Sequence, residues 1–281
     1  MFQRFSRGWQ LAKESFAVLR GDKRLLLFPV MSAIAAIVVS VSFLVPLALS
    51  GALGEATNGQ ATPLTYLILF LFYYANYFVI VFFNSALVGA ANICLSGGHA
   101  TLSDGLGMAR SRLGRIAAWA LVAATVGLLL RMIENRAEKL GRIVAMLLGT
   151  AWTLITYFII PVIVFEDEGM FESVKRSTRL LKQTWGEELG AGIGFGLLWF
   201  LLAIPGLALT LVVAMVQPLL GFALGVIYFL LLAATAAAVK SIFTVALYRY
   251  ASQGQVPSGF TPELVQNAFG VRRIAGGATV G

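Results

Sequence analysis

Residues 219–250 read LLGFALGVIYFLLLAATAAAVKSIFTVALYRY, with two charges, Lys240 and Arg249. A helix of about 20 mostly apolar residues crosses the hydrocarbon of a bilayer. This run exceeds that length, so it predicts a spanning helix that tilts or extends beyond the lipid. It shows no alternation of apolar and polar positions, which argues against a barrel strand. Working outward, five earlier runs repeat the pattern at 25–49, 63–95, 116–133, 143–165 and 191–217. The sequence therefore predicts an all-α membrane protein with six transmembrane helices. It forms a single polytopic domain over 1–281, with a tail from 251 to 281.

Composition agrees. Hydrophobic residues make up 59% of the chain and charged residues 12%, about half the charged share of a soluble domain. Too few polar side chains exist to cover a water-facing surface. The net charge is +8, but the cations sit in short segments beside apolar runs and form no basic stripe interleaved with aromatics. Nucleic acid is therefore not expected as a partner. The single cysteine, Cys94, and single histidine, His99, exclude an internal disulfide and a Cys/His metal cluster. Cys94 reads as packing and His99 as a solvated loop residue. No cleavage is expected, because the first apolar run is too long for a signal-peptide core.

Charge sets the orientation. Arg4, Arg7, Lys13, Arg20, Lys23 and Arg24 precede the first run. Arg110, Arg112 and Arg115 follow the second, and Lys175, Arg176, Arg179 and Lys182 follow the fourth. Arg249, Arg272 and Arg273 mark the end. Six crossings put all of these on one side, which the positive-inside rule makes cytoplasmic, both termini included. The expected location is a bacterial cytoplasmic (inner) membrane. Residues 131–142 run against this pattern, carrying Arg131, Arg136, Lys139 and Arg142 on the opposite side.

Three basic segments have helical periodicity. Phe2, Phe5, Trp9, Ala12, Phe16 and Leu19 lie on one face, as do Leu102, Leu106, Ala109 and Leu113. Phe171, Val174, Thr178, Leu181 and Trp185 form a third face. These predict amphipathic helices at the membrane surface, apolar side to lipid and basic side to anionic headgroups. The expected lipid-contact residues are Trp9, Lys13, Arg110, Arg112, Arg115, Lys175, Arg176, Arg179, Lys182 and Trp185.

MARSRLGR (108–115) and VKRSTRLLK (174–182) share Arg-Ser followed by Arg-Leu, and Ser15 of AKESFAVLR takes the same place. The expected plan is three pseudo-repeats, each an amphipathic interfacial helix plus a transmembrane hairpin, over about 1–95, 96–165 and 166–250. The tail opens like a fourth interfacial segment, with Phe260, Leu264, Ala268 and Val271 on one face. Aligning the outbound helices on Gly97, Gly169 and Gly254 puts Asn84, Thr156 and Ser241 at one depth, with Lys240 beside them. Counting back from the glycines gives about 20 Å of helix, near mid-membrane. A lysine there should face the bundle interior or a watery cavity. Asn84, Thr156, Lys240 and Ser241 are the candidate ligand or structural polar cluster. Gly190 with Gly194, Gly192 with Gly196, and Gly221 with Gly225 predict close helix packing within the chain. The acidic run Glu166, Asp167 and Glu168 reads as structural, complementing the start of the following helix.

GWQLAKESFAVLRGDKRLLLFP (8–29) and FEDEGMFESVKRSTRLLKQTWGE (165–187) resemble signature segments of an uncharacterised family of bacterial six-helix membrane proteins. The pattern is also similar to the membrane domain of some glycerophosphodiester phosphodiesterases, without their catalytic domain. Neither resemblance supplies catalytic residues. GIGFG at 192–196 is not a dinucleotide fingerprint, and no Walker loop or HExxH occurs. No catalytic residue, metal or cofactor is expected. The chain reads as a non-catalytic membrane protein that binds lipid, with anionic headgroups foremost, or a membrane partner, as a scaffold. The alternative is a transporter or channel whose path passes Asn84, Thr156 and Lys240. A lipid-acting enzyme ranks last.

Overall fold

The computed structural model describes residues 2–58, 60, 62–136 and 138–261, without the side chains of 2–8, 135, 136, 138–140, 183–195 and 197. Among these residues every regular element is helical. The helices are α1 (Phe2–Gly21), α2 (Leu27–Leu49), α3 (Ala52–Thr57), α4 (Pro63–Leu95) and α5 (Leu102–Ser111). There follow α6 (Leu113–Arg136), α7 (Glu138–Ile155), α8 (Ile159–Phe165), α9 (Met170–Val216) and α10 (Pro218–Gln253). Six stretches are long and apolar enough to cross a membrane.

Local chemistry sets the ends. Pro63 and Pro218 open α4 and α10 at the first turn, where a missing N–H costs nothing. Thr101 and Asp104 close a capping box at the start of α5. Gly97 (φ 85°) and Gly254 (φ 66°) end α4 and α10 in the left-handed region. Gly169, aligned with them by sequence, instead precedes α9 as its N-cap with φ −66°.

Burial divides the molecule into two zones. Toward one end, large apolar side chains stand exposed, such as Leu49 (84%), Leu64 (65%), Val216 (82%) and Leu219 (78%). An uncovered surface of this kind requires lipid. Toward the other end, the later parts of α4 and α10 bury completely. Ala86, Leu87, Ala90 and Leu95 pack in one cluster with Ile242, Val245 and Leu247, α8, and the buried faces of α1, α5 and α9. This basic-end cap holds the hydrophobic core.

The three basic-segment helices bury faces that only partly overlap the predicted apolar stripes. On α1, Leu11, Ala12, Ser15 and Leu19 are buried, while Trp9 and Phe16 stay about two-fifths exposed. On α9, Ser173, Ser177, Leu180 and Leu181 are buried and Phe171 is exposed. On α5, Gly105 and Ala109 go inward, and a Cβ on Gly105 would lie 2.7 Å from the Ala86 carbonyl oxygen. Small and hydroxyl residues let backbones approach and share these contacts with leucines, while the aromatics Trp9, Phe16 and Phe171 stay outside. Phe2, Phe5 and Trp185 lie outside the described side chains.

The third interfacial helix and the fifth span form one helix, α9, 47 residues long. Its glycines do not break it, because unpaired backbone groups beside lipid cost more than glycine's poor helix propensity. The fourth span breaks instead. Pro161 lacks an N–H, α7 stops at Ile155, and α8 begins at Ile159.

Of the predicted glycine pairs, Gly221 and Gly225 seal the α9–α10 hairpin. Added Cβ atoms would lie 2.4 Å from Ala214 N and 2.7 Å from Thr210 Cγ2. Gly196 has nothing within 4 Å, and 190, 192 and 194 fall among the undescribed side chains. Arg131, from the segment with opposing charge, donates to the Tyr73 hydroxyl and sits 5.4 Å from that ring's centre. It ties α6 to α4.

Candidate functional site

An apolar cleft of about 540 Å³ opens between α2, α4 and α10. Ile34, Ile37, Ile80, Phe83, Ile227 and Leu230 line much of it, and Asn84 brings an amide to its wall. Ala233 and Ala237 line the α10 side. Steps of three and four from these alanines lead to Lys240 and Ser241, so both continue that face one turn nearer the cap. Asn84 and Lys240 are exposed. Lys240 has no ion pair among the described residues. The Ser241 hydroxyl is buried without a hydrogen-bond partner. Thr156 is not in this lining; its hydroxyl donates to the Trp152 carbonyl at 2.7 Å. Of the four residues, Asn84 alone lines the cleft; Lys240 and Ser241 lie one helical turn beyond its lining residue Ala237, and Thr156 lies at the break before α8.

Helix lengths allow a second count of depth, taken from the opposite helix ends. Asn84 lies 21 residues beyond Pro63 and Lys240 22 residues beyond Pro218, about 32 and 33 Å of helix. A hydrocarbon core about 30 Å thick laid from the two prolines ends near both residues. Nearer the middle stands a pair that the sequence reading missed, the Ser40 hydroxyl donating to Asn76 Oδ1 at 3.4 Å.

The predicted lipid-contact cations divide into two groups. Arg112 and Arg115 both bind Asp167, and they also donate to the Val164 and Glu166 carbonyls. Their guanidiniums, Arg115 first, hold the Asp167 carboxyl below the usual carboxylate range. Arg176 pairs with Glu166 at 3.0 Å, which also accepts from the Tyr248 hydroxyl at 2.8 Å. Lys175 pairs with Glu172 at 2.7 Å. Lys13, Arg110, Arg179 and Lys182 remain exposed with no ion pair among the described residues. Glu166 and Asp167 are thus structural, but their partners are side chains of α6, α9 and α10.

Residues 63–260 match a family of unknown function, DUF6159. The chain belongs to that family. The DUF6159 match begins at the first residue of α4 and ends at Phe260, so it contains Asn84, Lys240, Ser241 and the acidic loop. It includes the second of the two resemblance segments and leaves α1 and α2 outside. No curated protein and no solved structure matches the chain, so the likeness to glycerophosphodiester phosphodiesterases and a bacterial source gain no support.

Within the DUF6159 stretch, Ser177 has a role that composition could not assign. Its hydroxyl donates to the Ile155 carbonyl at 2.7 Å and accepts from the Phe158 N–H at 3.1 Å. One buried side chain thus satisfies two of the backbone groups at the break. The other two serines of the proposed repeat act locally: Ser15 donates to Leu11 and exposed Ser111 to Met108. Asp22 was also missed. It is buried and accepts from the Arg24 and Ala100 N–H groups, tying the α1–α2 corner to the loop before α5. Cys94 leans on the same carboxylate, with Sγ donating at 3.7 Å. His99 is exposed. The signal available in sequence was Pro161 inside an apolar run, which requires some polar group to answer the break.

Proposed function

We propose that this protein is a non-catalytic integral membrane protein that binds lipid. An acyl chain would occupy the cleft between α2, α4 and α10, with the lipid's polar part at Asn84 and Lys240. The observation that carries the reading is the Asn84 amide in the wall of an apolar cleft, with Lys240, exposed and without an ion pair among the described residues, one helical turn beyond the lining residue Ala237. A cation at that level gains from a phosphate, and the cleft's isoleucines and leucines match a hydrocarbon chain. The charge pattern supports a bacterial cytoplasmic membrane with both termini and the cap cytoplasmic. The plan of three interfacial-helix-and-hairpin units belongs to the same proposal, with Ser15, Ser111 and Ser177 at equivalent places. A transporter or channel past Asn84, Thr156 and Lys240 is the weaker reading, because the cleft beyond Asn84 is lined by Ile34, Ile37, Ile80 and Ile227, which would not pass a polar solute.

The test is lipid analysis of protein purified in mild detergent. Lys240→Met and Ala237→Phe should each lose co-purified phospholipid while keeping the parent melting temperature, and Lys240→Arg should retain lipid. Unchanged lipid in both Lys240→Met and Ala237→Phe rejects the cleft. For orientation, a cysteine replacing Glu55 in a Cys94→Ala background should react with an impermeant thiol reagent from outside the cell. Labelling only from the cytoplasm reverses the proposed topology.

A further inference from the structure

On the other side of α10 lies a second apolar groove, of about 620 Å³, walled by α1, α9 and α10. Trp9, Ala12, Lys13 and Phe16 form its α1 wall, one face of that helix by spacing. Trp199 and Leu202 stand opposite on α9. The α10 wall runs from Tyr228 to Val239, about 16 Å of helix, close to the depth of one leaflet of a hydrocarbon core about 30 Å thick.

The polar groups of this groove are unequal. The Tyr228 hydroxyl donates to the Leu202 carbonyl at 2.5 Å, and the Thr235 hydroxyl donates to the Leu231 carbonyl at 2.7 Å. Among the described residues Lys13 is the one charged residue of the lining, exposed and without an ion pair. Its neighbour Glu14 is engaged elsewhere, accepting from the Thr261 hydroxyl at 2.6 Å. Among the described residues no carboxylate lines the groove. Trp9 (41%) and Phe16 (42%) remain open to the outside, so the described residues do not close the α1 wall. A lone ammonium on an amphipathic helix, beside a tryptophan and above an apolar slot, is complementary to an anionic headgroup with a chain beneath it.

We infer that this groove binds one anionic phospholipid, its phosphate on Lys13 and an acyl chain against Trp199 and Tyr228, so that α1 is fastened to α9 and α10 through a lipid. The inference shares lipid chemistry with the proposed function but rests on different residues. Zwitterionic lipid gains less from Lys13, because its own cation offsets the phosphate.

Tryptophan fluorescence of the full-length protein in phosphatidylcholine vesicles tests this. A minor fraction of brominated phosphatidylglycerol should quench more than the same fraction of brominated phosphatidylcholine. Lys13→Met should abolish the excess and Lys13→Arg should keep it. Trp199→Phe should remove much of it without touching the charge, which covers the case of a misfolded Lys13→Met. Lys240→Met should leave the excess intact, because the quenching reports on Trp9 and Trp199 of this groove and the described lining of the first cleft holds no tryptophan. Equal quenching by the two lipids in the parent protein, or an excess that survives both Lys13→Met and Trp199→Phe, overturns the inference. If Lys240→Met and Ala237→Phe keep their lipid while Lys13→Met loses the selectivity, the first cleft fails and this groove stands.

Discussion

The two halves of α4 are similarly apolar and differently covered. Leu64, Leu67 and Leu71 in its first half are exposed, while Ala86, Leu87 and Ala90 in its second half are buried by protein. Hydropathy measures how poorly a residue suits water. It does not say whether lipid or protein will replace the water. The distinction lies in size: the exposed half carries leucines and aromatics, and the buried half runs SALVGAA over 85–91, where small residues admit neighbouring helices.

The strongest test of this contrast compares two leucines on that helix. Leu87→Ala removes a fully buried side chain and should cost about 2–5 kcal/mol of stability. Leu67→Ala trades one lipid-covered apolar residue for another and should stay within about 0.5 kcal/mol. Unfolding midpoints in detergent measure both. Equal effects would mean that the cap is not the core.

The serines sharpen the same contrast. Ser177→Ala leaves the Ile155 carbonyl and Phe158 N–H unanswered and should cost about 1–3 kcal/mol, the penalty for unsatisfied buried groups. Ser111→Ala, at an exposed site, should be close to neutral. Comparable losses at both would make the three serines true equivalents and strengthen the repeat.

Helix approach gives a further step. Gly221→Ala places a Cβ against the Ala214 backbone and should destabilise by about 1–3 kcal/mol. Gly196→Ala meets nothing within 4 Å and should be neutral or slightly stabilising, since alanine favours helix. Thermal midpoints of the two variants decide.

The smallest effect concerns pH. The folded-state pKa of Asp167 is depressed by Arg115 and Arg112. Its contribution is therefore present above the ordinary carboxylate range and lost as pH falls through the depressed value. Asp167→Asn should lower the unfolding midpoint slightly at neutral pH, and the difference from the parent should vanish in acid. A difference that grows on acidification would reverse the sign of this argument.

Sequence alone determined the six apolar helices, their ends at Pro63, Pro218, Gly97 and Gly254, and the basic end of the molecule. Those follow from length, hydropathy and local backbone chemistry, which need no knowledge of neighbours. It also singled out Asn84, Lys240 and Ser241, because polar residues beside long apolar runs are conspicuous. Tertiary structure alone decided which cleft Asn84 lines, the buried faces of α1, α5 and α9, and the bridge made by Ser177. Each depends on which helix lies alongside, and in a chain covered by lipid an apolar stripe does not reveal that. Outward and inward faces are both hydrophobic there, so small size and the pairing of backbone groups choose the partner.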